Sequence, residues 1–288
     1  MSQDHYMIKC IVRVVTYIEH ALQNDEVPKL EDIAQASNLS KYHFHRLYRL
    51  VTGETCHQTV TRLRVARGVA SLSNPNTSVT EASMIAGFSS SQAFAKAMKR
   101  VTSETATSLR NDPDCLAVTM EKLGQTTLAG ESVALTIGLA SLDPFEIVAT
   151  RTVGIYPELH QAYGELFELA GDPSRVQAIL GRPHGDIDGP EPDGFTFECG
   201  LKLIEMPGEF PEGYSAEHVF AGHYLLARNI GSYDGLPSVV DALYHYVLAN
   251  KDVHICNEPL LFHYLDDPES IAEAELRTDI YLKVQIFH

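Results

Sequence analysis

Two stretches of the chain, about fifty residues apart, place similar side chains at helical spacing. The first carries Lys41, Tyr42, His45, Arg46 and Arg49; the second carries Ser91, Gln92, Lys96, Lys99 and Arg100. A guanidinium presents paired N–H donors that match the acceptor edge of guanine, and a carboxamide can both donate to and accept from adenine. Lysines and the remaining arginines suit phosphate oxygens. Arg46 therefore has the chemistry to grip guanine and Gln92 to pair with adenine. Lys41, Arg49, Lys96, Lys99 and Arg100 suit the phosphate backbone.

The elements that must present these groups repeat. Phe44, Leu47, Tyr48, Val51, Thr52, Glu54 and Thr55 line up with Phe94, Ala97, Met98, Val101, Thr102, Glu104 and Thr105. Upstream, Leu30, Ile33 and Leu39 match Val79, Ala82 and Phe88, and Ser40 is placed to cap the helix that follows. Residues 28–105 thus read as a short helix, a tight turn and a second helix, used twice. Residues 56–74 form a connecting helix stopped by Pro75. A helix with an apolar inner stripe and a basic outer face, held across a tight turn from its partner, is the helix-turn-helix pattern. An earlier stripe of Met7, Ile11, Val14, Ile18 and Leu22 predicts a further helix over 6–22.

Charge supports the same division. The 288 residues hold 22 Lys and Arg against 38 Asp and Glu, a net −16 that by itself argues against a nucleic-acid partner. Yet residues 38–110 hold ten basic and three acidic residues, whereas 113–288 hold nine and 28. The basic part can meet a phosphate backbone, and the acidic part would be repelled by it. Apolar residues make up 44%, ordinary for a folded globular chain, and no apolar run approaches 18 residues, so no membrane partner is expected. Cys10, Cys56, Cys115, Cys199 and Cys256 are scattered, with no C-x-x-C pair, which fits a reduced cytoplasm and neither a disulfide framework nor a zinc site. His43 and His45 lie two apart, and His218 and His223 five apart, so neither pair makes a helical metal site. No Walker loop, G-x-S-x-G, H-E-x-x-H or G-x-G-x-x-G occurs. No catalytic residue, metal or cofactor is expected.

LEDIAQASNLSKYHFHRLYRLVTGET, TRLRVARG and TEASMIAGFSSSQAFAKAMKRV together resemble the DNA-binding domain of the AraC/XylS family of transcription regulators over residues 28–110. The resemblance implies two helix-turn-helix units held by a rigid connecting helix, both recognition helices on one face, in successive major grooves. By position it puts base reading on Tyr42, His45, Arg46, Ser91, Gln92 and Lys96. This chain departs from the family at Cys56, where a proline is usual, and at Thr59, where an aromatic is usual. It lacks the usual Gly, Pro and Tyr at Ser103, Ala106 and Leu109.

The texture changes after residue 112. Residues 111–131 show no clear periodicity and read as a linker. Ser132 to Leu142 and Phe145 to Val153 read as strands, and 157–170 as an amphipathic helix. Arg151-x-Val153-Gly154-x-Tyr156 returns as Arg228-x-Ile230-Gly231-x-Tyr233, and Glu198-Cys199-Gly200-Leu201-Lys202-Leu203 resembles Asp279-Ile280-Tyr281-Leu282-Lys283-Val284. A duplicated βαββ unit is expected, forming one antiparallel platform with helices on one face. ARNIGSYDGLPSVVDALY, PLLFHYLDDPES and LRTDIYLKV resemble the GyrI-like (SbmC-type) small-molecule-binding domain over about 132–288. That resemblance implies an aromatic pocket with a buried carboxylate, suited to hydrophobic and often cationic compounds. The candidate pocket residues are Tyr156, Phe197, Glu198, Tyr233, Phe262, His263, Tyr264 and Tyr281. His263 stands where the family often has its carboxylate, so Glu198 or Asp279 would have to supply the charge.

The expected organisation is multidomain. Residues 1–112 are an all-α domain with two helix-turn-helix units, 113–131 a linker, and 132–288 an α+β domain. The expected function is a DNA-binding transcription regulator, not an enzyme. Its partners are double-stranded promoter DNA and a small hydrophobic effector, neutral or cationic, with RNA polymerase a candidate. A small-molecule hydrolase and a protein-interaction module are the alternatives for the second half.

Overall fold

The computed structural model describes residues 13–18, 20–22, 24, 26, 28, 32–33, 39–124, 136–154, 156–184, 196–250 and 252–287. It holds a helical helix-turn-helix region followed by an antiparallel sheet domain. The described residues fall into two compact units. One contains 39–46 together with everything from 136 onward, and the other contains the rest up to 124.

The helical unit is built on α1 (Lys41–Thr52), α2 (Cys56–Ser71), α3 (Val79–Ile85), α4 (Ser91–Thr102), α5 (Ala106–Asn111) and α6 (Pro113–Gly124), of which α1 contributes its second half. Local sequence sets the starts. Thr55 with Gln58, Ser78 with Glu81 and Thr105 with Ser108 form capping boxes for α2, α3 and α5, and Ser90 caps α4. The core joins Val65 and Val69 of α2 and Leu72 at its C-cap to Ala82, Ala86, Phe94, Ala97, Met98, Ala106, Leu109 and Leu123. Gly68 lets the α4 helix close in: a Cβ there would stand 2.5 Å from the Phe94 ring. Residues 13–18 and 20–22 are helical with Val14, Ile18 and Leu22 buried, as the stripe predicts; Met7 and Ile11 lie outside the described residues.

Two family departures have local explanations. Thr59 is buried, accepts from the Tyr48 hydroxyl at 2.8 Å and donates to Glu54 at 2.9 Å. A hydroxyl there completes a polar chain that an aromatic could not. Ser103 ends α4 with φ +62°, the same left-handed turn that Gly53 (φ +71°) makes after α1. Glycine adopts that turn without the Cβ clash that Ser103 must accept.

The expected linker is a correction. Residues 113–124 form α6, capped by the Asp112 carboxylate, which accepts from the Asp114 and Cys115 amides at 3.1 and 3.0 Å. Pro113 takes the first helical position, where its missing N–H costs nothing. Leu116, Thr119, Met120 and Leu123 then fall on one stripe facing the core.

In the other unit, β1 (Ile137–Leu142), β2 (Phe145–Val153), β3 (Val176–Pro183), β4 (Thr196–Leu203), β5 (Tyr214–Val219), β6 (Gly222–Ile230), β7 (Val253–Ile255), β8 (Leu261–Tyr264) and β9 (Arg277–Ile286) form one antiparallel sheet. The order is β1-β6-β9-β8-β3-β4-β2-β5, with β7 on β9. Helices α7 (Tyr156–Ala170) and α8 (Leu236–Ala249) lie between strands in sequence. Strand β1 forms one edge, yet residues 143–144 alone link it to β2, next to the opposite edge. Residues 220–221 make the reverse link from β5 to β6. Connections this short require the sheet to roll its edges toward each other. Ile147, Ala149, Leu180, Val219 and Leu261, with Leu142, Phe145 and Tyr281 against them, form the core of one face. The other face meets the helices: Phe197, Cys199, Leu201, Ile280 and Leu282 alternate with the first set along their strands and are buried.

Candidate nucleic-acid interface and effector site

Helix α4 is anchored along one side and exposed along the other. Phe94, Ala97 and Met98 anchor α4 in the core, while Gln92, Lys96, Lys99 and Arg100 are exposed and Ser91 is half-buried. Positions 92, 96, 99 and 100 share one helical face. The Lys99 ammonium also donates to the Ser103 carbonyl at 2.6 Å, which stiffens the end of that face.

The first recognition helix differs. Tyr42, His45 and Arg46, expected to face a groove, are buried; Arg46 is 1% exposed. The Arg46 Nε donates to Asp241 Oδ1 at 2.7 Å and its Nη2 to the Pro237 carbonyl at 2.6 Å. His43 is also fully buried and donates through Nε2 to the Glu258 carbonyl at 2.8 Å. A carbonyl can only accept, so Nδ1 is the acceptor for the Tyr244 hydroxyl, 2.5 Å away. Burial drives the His43 pKa down to about 4 despite the neighbouring Glu258. All of these residues belong to the sheet-bearing unit. Arg49 is half-buried, and the Lys41 side chain lies outside the described residues.

Much of the basic excess also serves the fold. Arg62 donates to Glu54 at 2.9 Å and to the Leu123 carbonyl at 2.5 Å. Arg64 bonds the Ala86 and Gly87 carbonyls and covers the Phe88 ring, Arg67 bonds the Leu22 carbonyl, and Arg110 bonds the Thr77 carbonyl. These cations close turns and helix ends.

The predicted effector residues divide between the two faces of the sheet. Successive strand residues point to opposite sides, so Phe197 cannot share a face with Glu198, nor Phe262 and Tyr264 with His263. On the helix face, Tyr264 packs edge-on to Tyr233 (5.5 Å between centroids) and to Tyr163 of α7 (6.0 Å), and Phe197 meets Phe262 at 6.3 Å. The Tyr163 hydroxyl donates to the Leu180 carbonyl at 2.7 Å. A side chain at Gly181 would strike Phe197 and Tyr163. Burial raises the Tyr163 and Tyr264 hydroxyls well above their ordinary range and lifts the Cys199 thiol to about 12, so this cluster is uncharged. Tyr163 was missed in the sequence because it marks only the inner face of an amphipathic helix. The Tyr156 side chain lies outside the described residues.

Glu198, His263, Asp279 and Tyr281 lie on the opposite face. Glu198 is buried and accepts from Arg182 Nε at 2.5 Å, Arg151 Nε at 3.2 Å and the His184 ring at 3.2 Å. Burial pushes its carboxyl up, but His184 and Arg182 together overcome this and bring the pKa down to about 2. Asp279 receives both forks of Arg228, at 2.6 and 2.8 Å. Burial lowers the His263 pKa, against the nearby Asp279. Each carboxylate is paired with an arginine.

Among the described residues no group of His, Cys, Asp and Glu could hold a metal ion, and no helix is long and apolar enough to cross a membrane.

A helical unit whose α4 carries an exposed basic face, in a chain with an antiparallel sheet domain bearing two helices, is the architecture of a DNA-binding protein with a small-molecule-binding domain. The chain belongs to the GyrI-like small molecule binding domain family, matched over residues 138–285, and carries an AraC-type helix-turn-helix domain matched over 33–112. It is 29% identical over 92 residues to the probable transcriptional regulator YgiV of Escherichia coli (strain K12), covering 32% of this chain and 57% of that protein. This chain therefore spans little more than half of that relative. It is 32% identical over 100 residues to the HTH-type transcriptional activator AarP of Providencia stuartii, covering 34% of this chain and 73% of that one. Among solved structures, the EcmrR C-terminal domain aligns with 54% of this chain and all of its own length, at 15% identity and a TM-score of 0.43.

Proposed function

We propose that this chain is a transcription regulator that reads duplex DNA through its helix-turn-helix units and senses a small apolar, aromatic compound through its sheet domain, without acting as an enzyme. The observation that carries the DNA reading is the exposed line of Gln92, Lys96, Lys99 and Arg100 on a helix anchored by Phe94 and Met98. Lys41, Tyr42, His45, Arg46 and Arg49 are assigned to the same function in a DNA-bound state. The effector reading is supported by the uncharged cluster of Tyr163, Tyr233 and Tyr264, with Phe197 and Phe262 beside it. The paired states of Glu198 and Asp279 favour a neutral guest over a cation.

A duplicated origin of the sheet domain is supported by its registers. Arg151 stands opposite Glu198 and Arg228 opposite Asp279, and the strand order reads the same from either edge when each strand is exchanged with its counterpart. Residues 1–112 and 132–288 are the two functional parts, with α6 as an addition to the first. A regulator of this kind works in the cytoplasm with promoter DNA, and RNA polymerase is the partner through which an activator acts.

The test is a binding titration of the full chain against duplexes enriched from a random-sequence library. Affinity should fall steeply between 50 and 200 mM salt, and Lys96→Ala should flatten the salt dependence by about one unit of slope. Failure to enrich any duplex would remove the DNA reading. In parallel, thermal melts against neutral aromatic compounds should find one that stabilises the chain by mass action, with the gain lost in Tyr264→Ala.

A further inference from the structure

Helix α8 has two working faces. Val239, Val240, Leu243 and Val247 are buried in the core of the domain. Pro237, Asp241 and Tyr244 stand at i, i+4 and i+7, a second stripe along the same helix. That stripe holds the start of α1 by named contacts: Asp241 and the Pro237 carbonyl take Arg46, and the Tyr244 hydroxyl reaches His43. The segment between α8 and β8 completes the seat, because the Glu258 carbonyl accepts from His43 and the Asn257 side chain accepts from the Ser40 amide at 3.0 Å.

The chemistry of the seat resembles that of the target assigned to the same residues. A carboxylate oxygen and a carbonyl oxygen receive the Arg46 guanidinium as guanine O6 and N7 would. The contact is charge-assisted and buried on the arginine side, which leaves Arg46 poorly solvated if it loses this partner without gaining another. An Arg46 that is 1% exposed cannot touch a base edge. We propose that the Pro237–Asp241–Tyr244 stripe, with Asn257 and Glu258, is an intramolecular docking surface for the first recognition helix, and that DNA must compete with it for Arg46. The proposal rests on the DNA reading of α1 given above.

Two consequences follow. The apparent affinity for DNA is set by the fraction of molecules whose first recognition helix has left the seat. The seat is also joined to the aromatic cluster. Tyr233, which packs on Tyr264, lies one turn before Pro237 in the 3-10 turn that leads into α8. A compound lodged among those rings displaces the end of α8 that grips Arg46, and so changes the seated fraction.

The experiment measures duplex affinity of the full chain, with library-enriched duplexes as probe, for the wild type, Asp241→Ala, Asp241→Asn, Tyr244→Phe and Lys96→Ala. Asp241→Ala should tighten binding about tenfold or more, and Tyr244→Phe by less, with faster amide exchange at 41–46 in both. Asp241→Asn keeps the shape and loses the charge, so it should tighten binding even if the alanine variant folds poorly. Lys96→Ala should weaken binding. If it weakens binding while both Asp241 variants bind no more tightly than wild type, the docking surface does not compete with DNA and the proposal falls. If Lys96→Ala has no effect, the DNA reading falls and the proposal with it.

Discussion

The two recognition helices share a sequence pattern and differ in what surrounds them. Helix α4 turns Phe94, Ala97 and Met98 inward and leaves Gln92, Lys96 and Arg100 in solvent. Helix α1 turns Phe44, Leu47 and Tyr48 inward, yet Tyr42, His45 and Arg46 on its remaining surface are buried too. The difference lies in what else in the chain offers a matching acceptor. Arg46 has Asp241 and Pro237; among the described residues, Lys99 of α4 has the nearby Ser103 carbonyl. A repeated motif can therefore be duplicated in sequence and unequal in state.

Four measurements break or sharpen that contrast, taken from the largest expected effect. Phe94→Ala removes the ring that ties α4 to Gly68 and Ala86 and should cost about 3–5 kcal/mol in a urea melt. A loss below about 1 kcal/mol would mean that α4 is not held by its inner face. Acid should act on α1 and spare α4, because only α1 carries a buried histidine. His43 titrates near 4 when seated and near 6.5 when released. Above pH 6.5 it is neutral in both states and contributes nothing. As pH falls from 6.5 toward 4 the released form gains a proton that the seated form does not, so the seat weakens by up to about 3 kcal/mol. Protection of the 41–46 amides, taken relative to intrinsic exchange rates, should fall between pH 7 and 5 while that of 91–100 is kept. Equal protection losses in the two helices would remove this asymmetry.

Gln92→Ala should cost about 1–3 kcal/mol in binding to an enriched duplex and relax the preference at one base pair. An unchanged preference would take Gln92 out of base reading and leave α4 a phosphate-contacting helix. The smallest effect is Ser103→Gly, which gives α4 the terminal residue that α1 has in Gly53. Relief of the left-handed strain should raise stability by about 1 kcal/mol, read as a higher melting temperature. A lower melting temperature would show that the Ser103 side chain contributes more than its backbone costs.

Several elements were legible because their signals are local. The capping residues, the inner stripes of α2 and α4, and the break at Pro75 follow from short-range hydrogen bonding and helical period. Helix α6 carried the same signals, with Asp112 as cap, Pro113 in the first turn and the stripe Leu116, Thr119, Met120 and Leu123. It read as a linker because Thr, Gly and charged residues around it masked the period. The division of the candidate effector residues between two faces has a different reason. Phe197-Glu198 and Phe262-His263-Tyr264 are contiguous in sequence, and contiguity in a strand means opposite faces. Missing Arg182 had a further cause: nothing near it in sequence marks a carboxylate partner, and Glu198 lies across a strand pair.

The sequence determined by itself most of the helices and strands, α6 excepted, and which residues carry donors suited to DNA. These depend on composition and on spacing within a few residues. Only the tertiary structure decided which donors are available. Arg46, Arg62, Arg64 and Arg110 find acceptors far away in sequence, and burial of a cation is settled by the partner that pays its desolvation, not by its neighbours along the chain.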